Sequence, residues 1–154
     1  MKKVHLTVGV AMGLSLTGAA YAGDIYSIKG RCTEMLAMGH NFSTACLGKV
    51  VNANNDQGEV AFIFTLKNGA IFSFVGRGND QVSTAGHQAT QPVKEVVFSL
   101  GIQGVPDNHV PAAGTCKYGD AFAGVTHVIC SASTSQGDFS AKFTTSGQRP
   151  QPGY

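Results

Sequence analysis

Apolar and polar residues alternate over several short segments of the chain, as they do in strands that bury one face. The clearest alternation runs through residues 59–67 and 70–76, on either side of Asn68-Gly69, a dipeptide typical of β-hairpin turns. Its apolar face consists of Val60, Phe62, Phe64, Leu66, Ala70, Phe72 and Phe74. The pattern predicts a hairpin with one buried aromatic face.

The length of the hairpin loop decides which side chains share that face. A two-residue loop would pair Phe64 with Ser73, whereas a three-residue loop over residues 67–69 pairs Phe64 with Phe72. A slip of one residue turns every side chain to the other face of the sheet. Burial of the phenylalanines therefore favours the three-residue loop, with Gly69 in a left-handed conformation.

Further strands are predicted at residues 26–33, 45–52, 96–103, 122–132 and 139–145. The polar segments 78–92 and 104–114 are interpreted as long surface loops, and only residues 33–38 have the composition for a turn or two of helix. Many short strands with frequent turns indicate an all-β domain. The predicted fold is a single-domain antiparallel β-sandwich or small β-barrel of about 7–8 strands.

The first 22 residues have the pattern of a secretory signal peptide. Lys2 and Lys3 precede a mostly apolar run over residues 4–17, and Ala20 and Ala22 are the small residues of a cleavage site. We expect a mature chain of 132 residues that begins at Gly23 and contains no transmembrane segment. Residues 23–147 would form the β domain and residues 148–154 a flexible C-terminal tail. The predicted location is the bacterial periplasm or the exterior.

Export changes the interpretation of the four cysteines, because an oxidising compartment favours disulfides. The cysteines are Cys32, Cys46, Cys116 and Cys130, so both sequential pairs are separated by 14 residues. A zinc site would usually bring its thiolates in close pairs of the C-x2-4-C kind, which are missing from this sequence. The spacing predicts two disulfides, Cys32–Cys46 and Cys116–Cys130, each contributing about 3 kcal/mol to stability.

The charge of the chain and its lack of common catalytic motifs exclude several classes of function. Without the leader the chain has nine basic and nine acidic residues, so its formal net charge is zero. Proteins that bind nucleic acids or anionic membranes usually need an excess of positive charge, which this composition does not provide. Four histidines, His40, His87, His109 and His127, are isolated in the sequence, and no G-x-S-x-G motif occurs in the mature chain. We therefore expect no metal, no cofactor and no enzymatic activity.

Two functional classes remain after these exclusions. The first is an exported, non-catalytic binding module, of inhibitor-like or toxin-neutralising type, whose loops 78–92 and 104–114 contact another exported protein or an envelope component. The alternative is a carrier of a small apolar ligand in an aromatic-lined barrel cavity. That cavity would be lined by Phe62, Phe64, Phe72, Phe74 and Phe98. A cavity of several hundred Å³ among these rings would favour the carrier, whereas a filled core would favour the module.

Overall fold

Eight antiparallel strands form a closed barrel in the computed structural model, which describes residues 23–153. The predicted signal peptide lies outside the described residues, as does Tyr154. Each barrel strand pairs with its neighbours in an antiparallel manner, and the last returns to the first, so the barrel form of the predicted fold class is confirmed. The barrel strands are β1 (Ile25–Ala37), β3 (Cys46–Asn54), β4 (Glu59–Leu66), β5 (Ile71–Arg77), β7 (Gln88–Ser99), β8 (Asn108–Gly119), β9 (His127–Thr134) and β10 (Gly137–Thr145).

Three short strands lie beside the barrel strands. They are β2 (His40–Asn41), which pairs with β1, β6 (Val82–Thr84), which pairs with β7, and β11 (Gln151–Pro152), which pairs with the start of β1. Residues Gly78–Asp80 form a single 3₁₀ turn between β5 and β6. Among the described residues, no helix is long and apolar enough to cross a membrane.

The predicted hairpin is present with the three-residue loop. Phe64 lies opposite Phe72 and Phe62 opposite Phe74, so that all four rings face the barrel interior and are buried. Gly69 has a φ of +87°, a conformation that costs most other residues about 1 kcal/mol or more. Burial of the aromatic face therefore selects the register, as the alternation predicted.

Both predicted disulfides are also present. Cys116 and Cys130 lie directly opposite each other on β8 and β9, inside the barrel, and are 0% and 1% exposed. Cys32 and Cys46 connect β1 to the start of β3, beyond the point where the pairing of these two strands ends. The Cys116–Cys130 bond reinforces a continuous part of the barrel wall, whereas the Cys32–Cys46 bond holds together two strands that diverge. Two disulfides are compatible with an extracellular or periplasmic protein.

The two segments interpreted as long loops are largely strand, which corrects the prediction. β7 begins at Gln88 and β8 at Asn108, so the true connections are residues 78–87 and 100–107. Alternation is hard to recognise here because several inward positions are small or polar rather than large and apolar. These inward residues are Ala89, Gln91, Ala112 and Gly114. At Gly114 a side chain would collide with the backbone of β9 at Ala132.

Other strand boundaries differ from the predictions as well. Residues 33–38 form no helical turn, because β1 continues to Ala37 in pairing with β10. The strand expected over residues 96–103 ends at Ser99, which leaves Leu100 and Ile102 in an exposed loop. The strand expected over residues 122–132 begins only at His127, because residues 120–126 cross from β8 to β9.

The C-terminal segment, expected to be a flexible tail, is docked against the barrel in the structure. Residues Gln151–Pro152 pair with Tyr26 and Ser27 of β1, and Pro150 is buried. This is possible because β10 leaves β1 at Gly30, which exposes the preceding edge of β1 to another partner. The segment thereby fills a gap in the barrel wall.

Because consecutive barrel strands are antiparallel, their connections alternate between the two ends of the barrel. We call the end with residues 38–45, 67–70, 100–107 and 135–136 the packed end. The other end carries residues 55–58, 78–87, 120–126 and the C-terminal segment 146–153. We call it the mouth, since the interior opens to the surface there.

Candidate binding site at the mouth of the barrel

Three neighbouring pockets open at the mouth, and Tyr118 of β8 lines all of them. Their volumes are about 150, 330 and 450 Å³. Ligand sites commonly occur in barrel mouths and have volumes of about 300–1,000 Å³. A further depression of about 550 Å³ lies along the wall of β8, β9 and β10 and is lined largely by Ala, Ser and Thr. The three pockets of the mouth thus lie side by side and share a lining residue, whereas this depression has none in common with them among the described residues.

The smallest of the three, which we call the apolar pocket, lies directly above the barrel core. Four aromatic side chains contribute to its wall, three of them at inward positions of the barrel strands. Its lining consists of Tyr26, Ile28, Asn52, Phe62, Tyr118, Gly119, Asp120, Ala121, Phe122, Val128 and Pro150. A volume of about 150 Å³ is similar to that of an engineered cavity that binds benzene. This pocket has room for one aromatic ring or a short aliphatic group.

The second pocket, which we call the amide pocket, is bordered by primary amides from two parts of the chain, β3 and the connection that follows β5. Its lining consists of Asn52, Asn54, Gly58, Glu59, Val60, Gly78, Asn79, Gln81 and Tyr118. The third, which we call the outer pocket, continues past Gln81 along β6 and β7. It is lined by Gln81, Ser83, Thr84, His87, Gln88, Ala89, Tyr118, Gly119 and Asp120. Together these two pockets present a surface rich in hydrogen-bonding groups.

Tyr118 forms the boundary between the apolar pocket and the two polar ones. Its ring packs on Phe62 with centroids 4.7 Å apart, and its hydroxyl group donates a hydrogen bond to Oε1 of Gln81 at 2.5 Å. Burial of the ring raises the pKa of the Tyr118 phenol above its usual range, because the charged phenolate would lose hydration. The side chain thus has an apolar body towards the core and a polar tip towards the mouth.

Polar residues also occupy inward positions of the barrel near the mouth. Asn52 of β3 lies opposite the buried Phe62, and its Nδ2 donates only a long hydrogen bond, of 3.4 Å, to the Ala61 carbonyl. Gln91 of β7 is 1% exposed, and its Nε2 donates to the carbonyls of Arg77 and Pro92. The Oε1 of Gln91 is buried without a hydrogen-bond partner among the described residues. Large apolar residues at these positions would have closed the interior.

The rim of the apolar pocket is formed by Phe122, which is 49% exposed. Its ring meets that of Tyr26 edge to face, with centroids 5.2 Å apart, and the Arg149 guanidinium lies 5.7 Å from its centroid. Arg149 and the buried Pro150 belong to the docked C-terminal segment. The rim therefore depends on a loop and on the end of the chain rather than on barrel strands.

Among the described residues, no lysine or arginine lines any of the three pockets. Two carboxylates do, and each has a partner: Glu59 accepts a hydrogen bond from Asn55, and Asp120 accepts one from the backbone of Phe122. The part of the chain that the structure describes contains no group of three or more His, Cys, Asp or Glu side chains arranged to hold a metal ion. The linings of the three pockets, as formed by the described residues, thus contain two carboxylates and no lysine or arginine, while the guanidinium of Arg149 lies at the rim.

Two carboxyl groups elsewhere have a lowered pKa. A hydrogen bond from Lys142 lowers the pKa of Glu34, and one from Lys94 lowers that of Asp80. Both carboxyls belong to exposed ion pairs and line none of the pockets of the mouth. Their shifts have a structural explanation in these lysine contacts.

The structure also locates the residues that the sequence analysis singled out. The cysteines form the two disulfides, and of the five phenylalanines only Phe62 lines one of the mouth pockets. The others are packed ring against ring, with centroids 5.9 Å apart for Phe64 and Phe74 and 6.4 Å for Phe72 and Phe98. Phe139 and Phe143 of β10 contribute further contacts to this cluster. These rings fill the barrel interior from the packed end up to Phe143, which lies opposite Val128 near the mouth.

Phe62 and residues 78–87 belong to the sets that the sequence predicts, whereas Tyr118, Asn52 and Asn54 do not, although two signals in the sequence point to them. Tyr118 follows Cys116 by two residues and must therefore share the inward face of β8 with it. Val50, Asn52 and Asn54 alternate in β3, which places two amides on an inward face. The remaining contributors, Gln81, Phe122 and Pro150, lie on connections whose positions depend on barrel closure.

Comparison with known proteins supplies no further guide to this site. No family model matches the chain, and no curated protein or solved structure matches it either. The fold and site define a closed, disulfide-linked β-barrel with an aromatic and amide-rich opening at one end.

Proposed function

We propose that the protein is an exported, non-catalytic binding module that contacts another exported macromolecule through the mouth of its barrel. The observation that carries this proposal is the convergence of three pockets on Tyr118 at one end of an otherwise filled barrel. The contact surface is formed by residues 78–87, 120–126 and the C-terminal segment. Of the two segments expected to bind, residues 78–87 of the first are retained, whereas the second, 104–114, is replaced by residues 120–126 and the C-terminal segment.

The dimensions of the mouth support a binding module rather than a carrier. A ligand of the size of a typical drug or metabolite needs a space of several hundred Å³, whereas the apolar pocket offers about 150 Å³. A space of this size accommodates one apolar group of a larger partner. The polar pockets beside it would contact the polar groups of the partner that surround this apolar group. Interfaces commonly combine an apolar anchor with a polar rim in this way.

A carrier is the second candidate, because one observation favours it. Four aromatic residues, Tyr26, Phe62, Tyr118 and Phe122, surround the apolar pocket, and a small aromatic ligand would fit among them. In that case the ligand would lie at the mouth and not among the phenylalanines of the packed end. Native mass spectrometry of the protein purified from its own host distinguishes the two, since a carrier retains a small molecule.

Capture from an envelope extract tests the module directly. Oxidised protein that begins at Gly23 is immobilised, and bound proteins and carbohydrates are analysed after washing. We expect the wild-type protein to retain one component that Phe122→Ala loses, because Phe122 forms the exposed rim of the apolar pocket. Thermal unfolding of each variant shows whether the fold is retained.

Ile129→Ala is the matched control, because Ile129 is 42% exposed on the outer wall of β9 and lines none of the pockets of the mouth. Equal loss of the component in both variants would indicate non-specific apolar adsorption. Retention by both variants would place the binding surface elsewhere and contradict the proposal.

A further inference from the structure

The donor and acceptor groups of the mouth indicate the chemistry of its ligand. A primary amide carries a hydrogen-bond donor, its NH₂ group, and an acceptor, its oxygen, on the same carbon atom. A sugar hydroxyl group likewise both donates and accepts hydrogen bonds. Five amides line the two polar pockets: Asn52, Asn54, Asn79, Gln81 and Gln88. The side chains of Asn54, Asn79 and Gln88 make no hydrogen bond within the described part of the chain and are available to a ligand.

Charge argues against an anionic ligand. The linings contain two carboxylates, Glu59 and Asp120, and no lysine or arginine among the described residues. The cation at the rim, Arg149, lies over the ring of Phe122. Phosphate, sulfate and carboxylate groups are usually bound by arginine, by lysine or by clustered backbone N–H groups. A neutral ligand does not require such groups.

Tyr118 provides the aromatic surface that such a ligand needs. Sugars present apolar C–H groups on the faces of their rings and hydroxyl groups around the edge. Tyr118 lies between the apolar and the amide pocket and is itself amphipathic, with its hydroxyl group on Gln81. The amide and outer pockets continue past it with about 330 and 450 Å³, which suits a chain of sugars better than a single one.

A peptide that binds by adding a strand finds no free edge at the centre of the mouth. Asn52, Phe62 and Tyr118 lie on β3, β4 and β8, and each of these strands is paired on both sides within the barrel. Backbone pairing, which gives such peptides much of their affinity, is therefore blocked at these positions. At these positions recognition proceeds through side chains, whereas β6 and β11, which each pair on one side only, lie at the rim of the mouth.

We propose that the mouth binds a neutral oligosaccharide, with one sugar ring against Tyr118 and its hydroxyl groups bonded to the surrounding amides. This inference rests on the proposed function and names the class of its partner, a glycan of the cell envelope or of the exterior. Glycan recognition by side chains on a β-barrel or β-sandwich is physically familiar, because these folds hold polar groups rigidly at their rims.

Titration with soluble hexasaccharides tests the proposal. The probes are neutral glucose, mannose and N-acetylglucosamine hexasaccharides, together with a sulfated one of the same length. Calorimetry measures affinity, and tyrosine fluorescence is a second readout because the chain has no tryptophan and Tyr26 and Tyr118 line the apolar pocket. We expect at least one neutral probe to bind more tightly than the sulfated one.

Variants of the mouth then assign the binding to this site. Loss of one hydrogen-bonding amide in Asn54→Ala or Gln81→Ala should weaken binding about 3- to 10-fold. Gln103→Ala is the matched control, because Gln103 is an exposed loop glutamine at the packed end, and its affinity should equal that of the wild type.

Absence of binding to every neutral probe, preference for the sulfated probe, or affinity that both mouth variants leave unchanged would overturn the inference. If Phe122-dependent capture of an envelope protein persists in those cases, the proposed binding function stands and only the glycan assignment fails. If neither the capture nor the titration succeeds, both fail.

Discussion

The two ends of the barrel differ in what their inward positions contain. At the packed end these positions hold large apolar side chains, among them Phe64, Phe72 and Phe139, which are 0–7% exposed. At the mouth some of the inward positions hold Asn52, Gln91 and Tyr118 instead, beside buried apolar residues such as Val60 and Phe143. Both halves use the same antiparallel pairing, so the difference comes from the side chains and not from the backbone.

The difference separates apolar burial at one end of the barrel axis from pocket-lining polar groups at the other. The packed end supplies apolar burial, which is the main favourable term in folding. The mouth retains polar groups inside the barrel, including a buried acceptor without a partner on Gln91, which is a cost to stability. The well-packed end of the barrel can thereby hold in place the polar groups of the mouth that are available to a ligand.

Truncation of a ring in the packed half should have the largest effect. Phe64→Ala should reduce the free energy of unfolding by about 3–5 kcal/mol, because the ring is fully buried against Phe74 and Phe143. Ile63→Ala, on the opposite face of β4, should cost clearly less, since Ile63 is only half-buried. Urea unfolding measures both values, and equal costs would mean that another layer covers the outer wall.

A charge at the buried glutamine of the mouth half should have the next largest effect. In Gln91→Glu a carboxylate replaces the Nε2 that donates to the carbonyls of Arg77 and Pro92, which should cost about 2–3 kcal/mol at pH 7. Burial raises the pKa of such a carboxyl, so the folded state holds its proton more tightly than the unfolded state. Stability of this variant should therefore rise as the pH falls towards about 4.

Gln91→Met is the control, because methionine has a similar shape and removes the acceptor that has no partner. Methionine also removes the Nε2 donor to the carbonyls of Arg77 and Pro92, so this variant should be less stable than the wild type but more stable than Gln91→Glu at pH 7. Because it adds no ionisable group, its stability should not show the rise in acid expected for Gln91→Glu. If Gln91→Glu shows no loss of stability at pH 7, the interior of the mouth half is hydrated rather than dry.

Removal of the Tyr118 hydroxyl group should have a smaller effect. Tyr118→Phe loses the hydrogen bond to Gln81 and should cost about 1 kcal/mol or less. Because the pKa of this phenol is raised in the folded state, the wild type should lose stability as the pH rises above about 10. Phenolate absorbance should show a late component that Tyr118→Phe lacks and Tyr26→Phe retains. An unchanged titration curve in Tyr118→Phe would contradict the burial of the ring.

The smallest effect is expected at the seam where β10 closes on β1. Glu34 accepts hydrogen bonds from Lys142 at 2.9 Å and Ser140 at 3.1 Å across that seam, and the bond from Lys142 lowers its pKa. Glu34→Gln should cost less than about 1 kcal/mol, because the pair is exposed to solvent. The contribution is present at neutral pH and is lost as the pH falls through the lowered pKa, so wild type and variant should converge in acid. A persistent difference there would assign the effect to packing.

The sequence by itself determined the local elements whose signals are strong. Alternating phenylalanines on either side of Asn68-Gly69 defined the β4–β5 hairpin and its register, because only one loop length buries all the rings. The equal spacing of the cysteines indicated both disulfides, because short closures between neighbouring strands are geometrically accessible. Both conclusions depend on residues that lie close together in the chain.

Only the tertiary structure decided how the strands are closed and what lies at each end. The contact between β1 and β10 joins residues more than a hundred positions apart, and no local pattern specifies it over a sandwich. Pairing between β7 and β8 makes residues 88–92 and 108–114 parts of strands, since backbone hydrogen bonds there do not require large apolar side chains. The mouth depends on closure of the barrel: Asn52, Gln81, Tyr118 and Pro150 are distant in sequence and meet only when the barrel is complete.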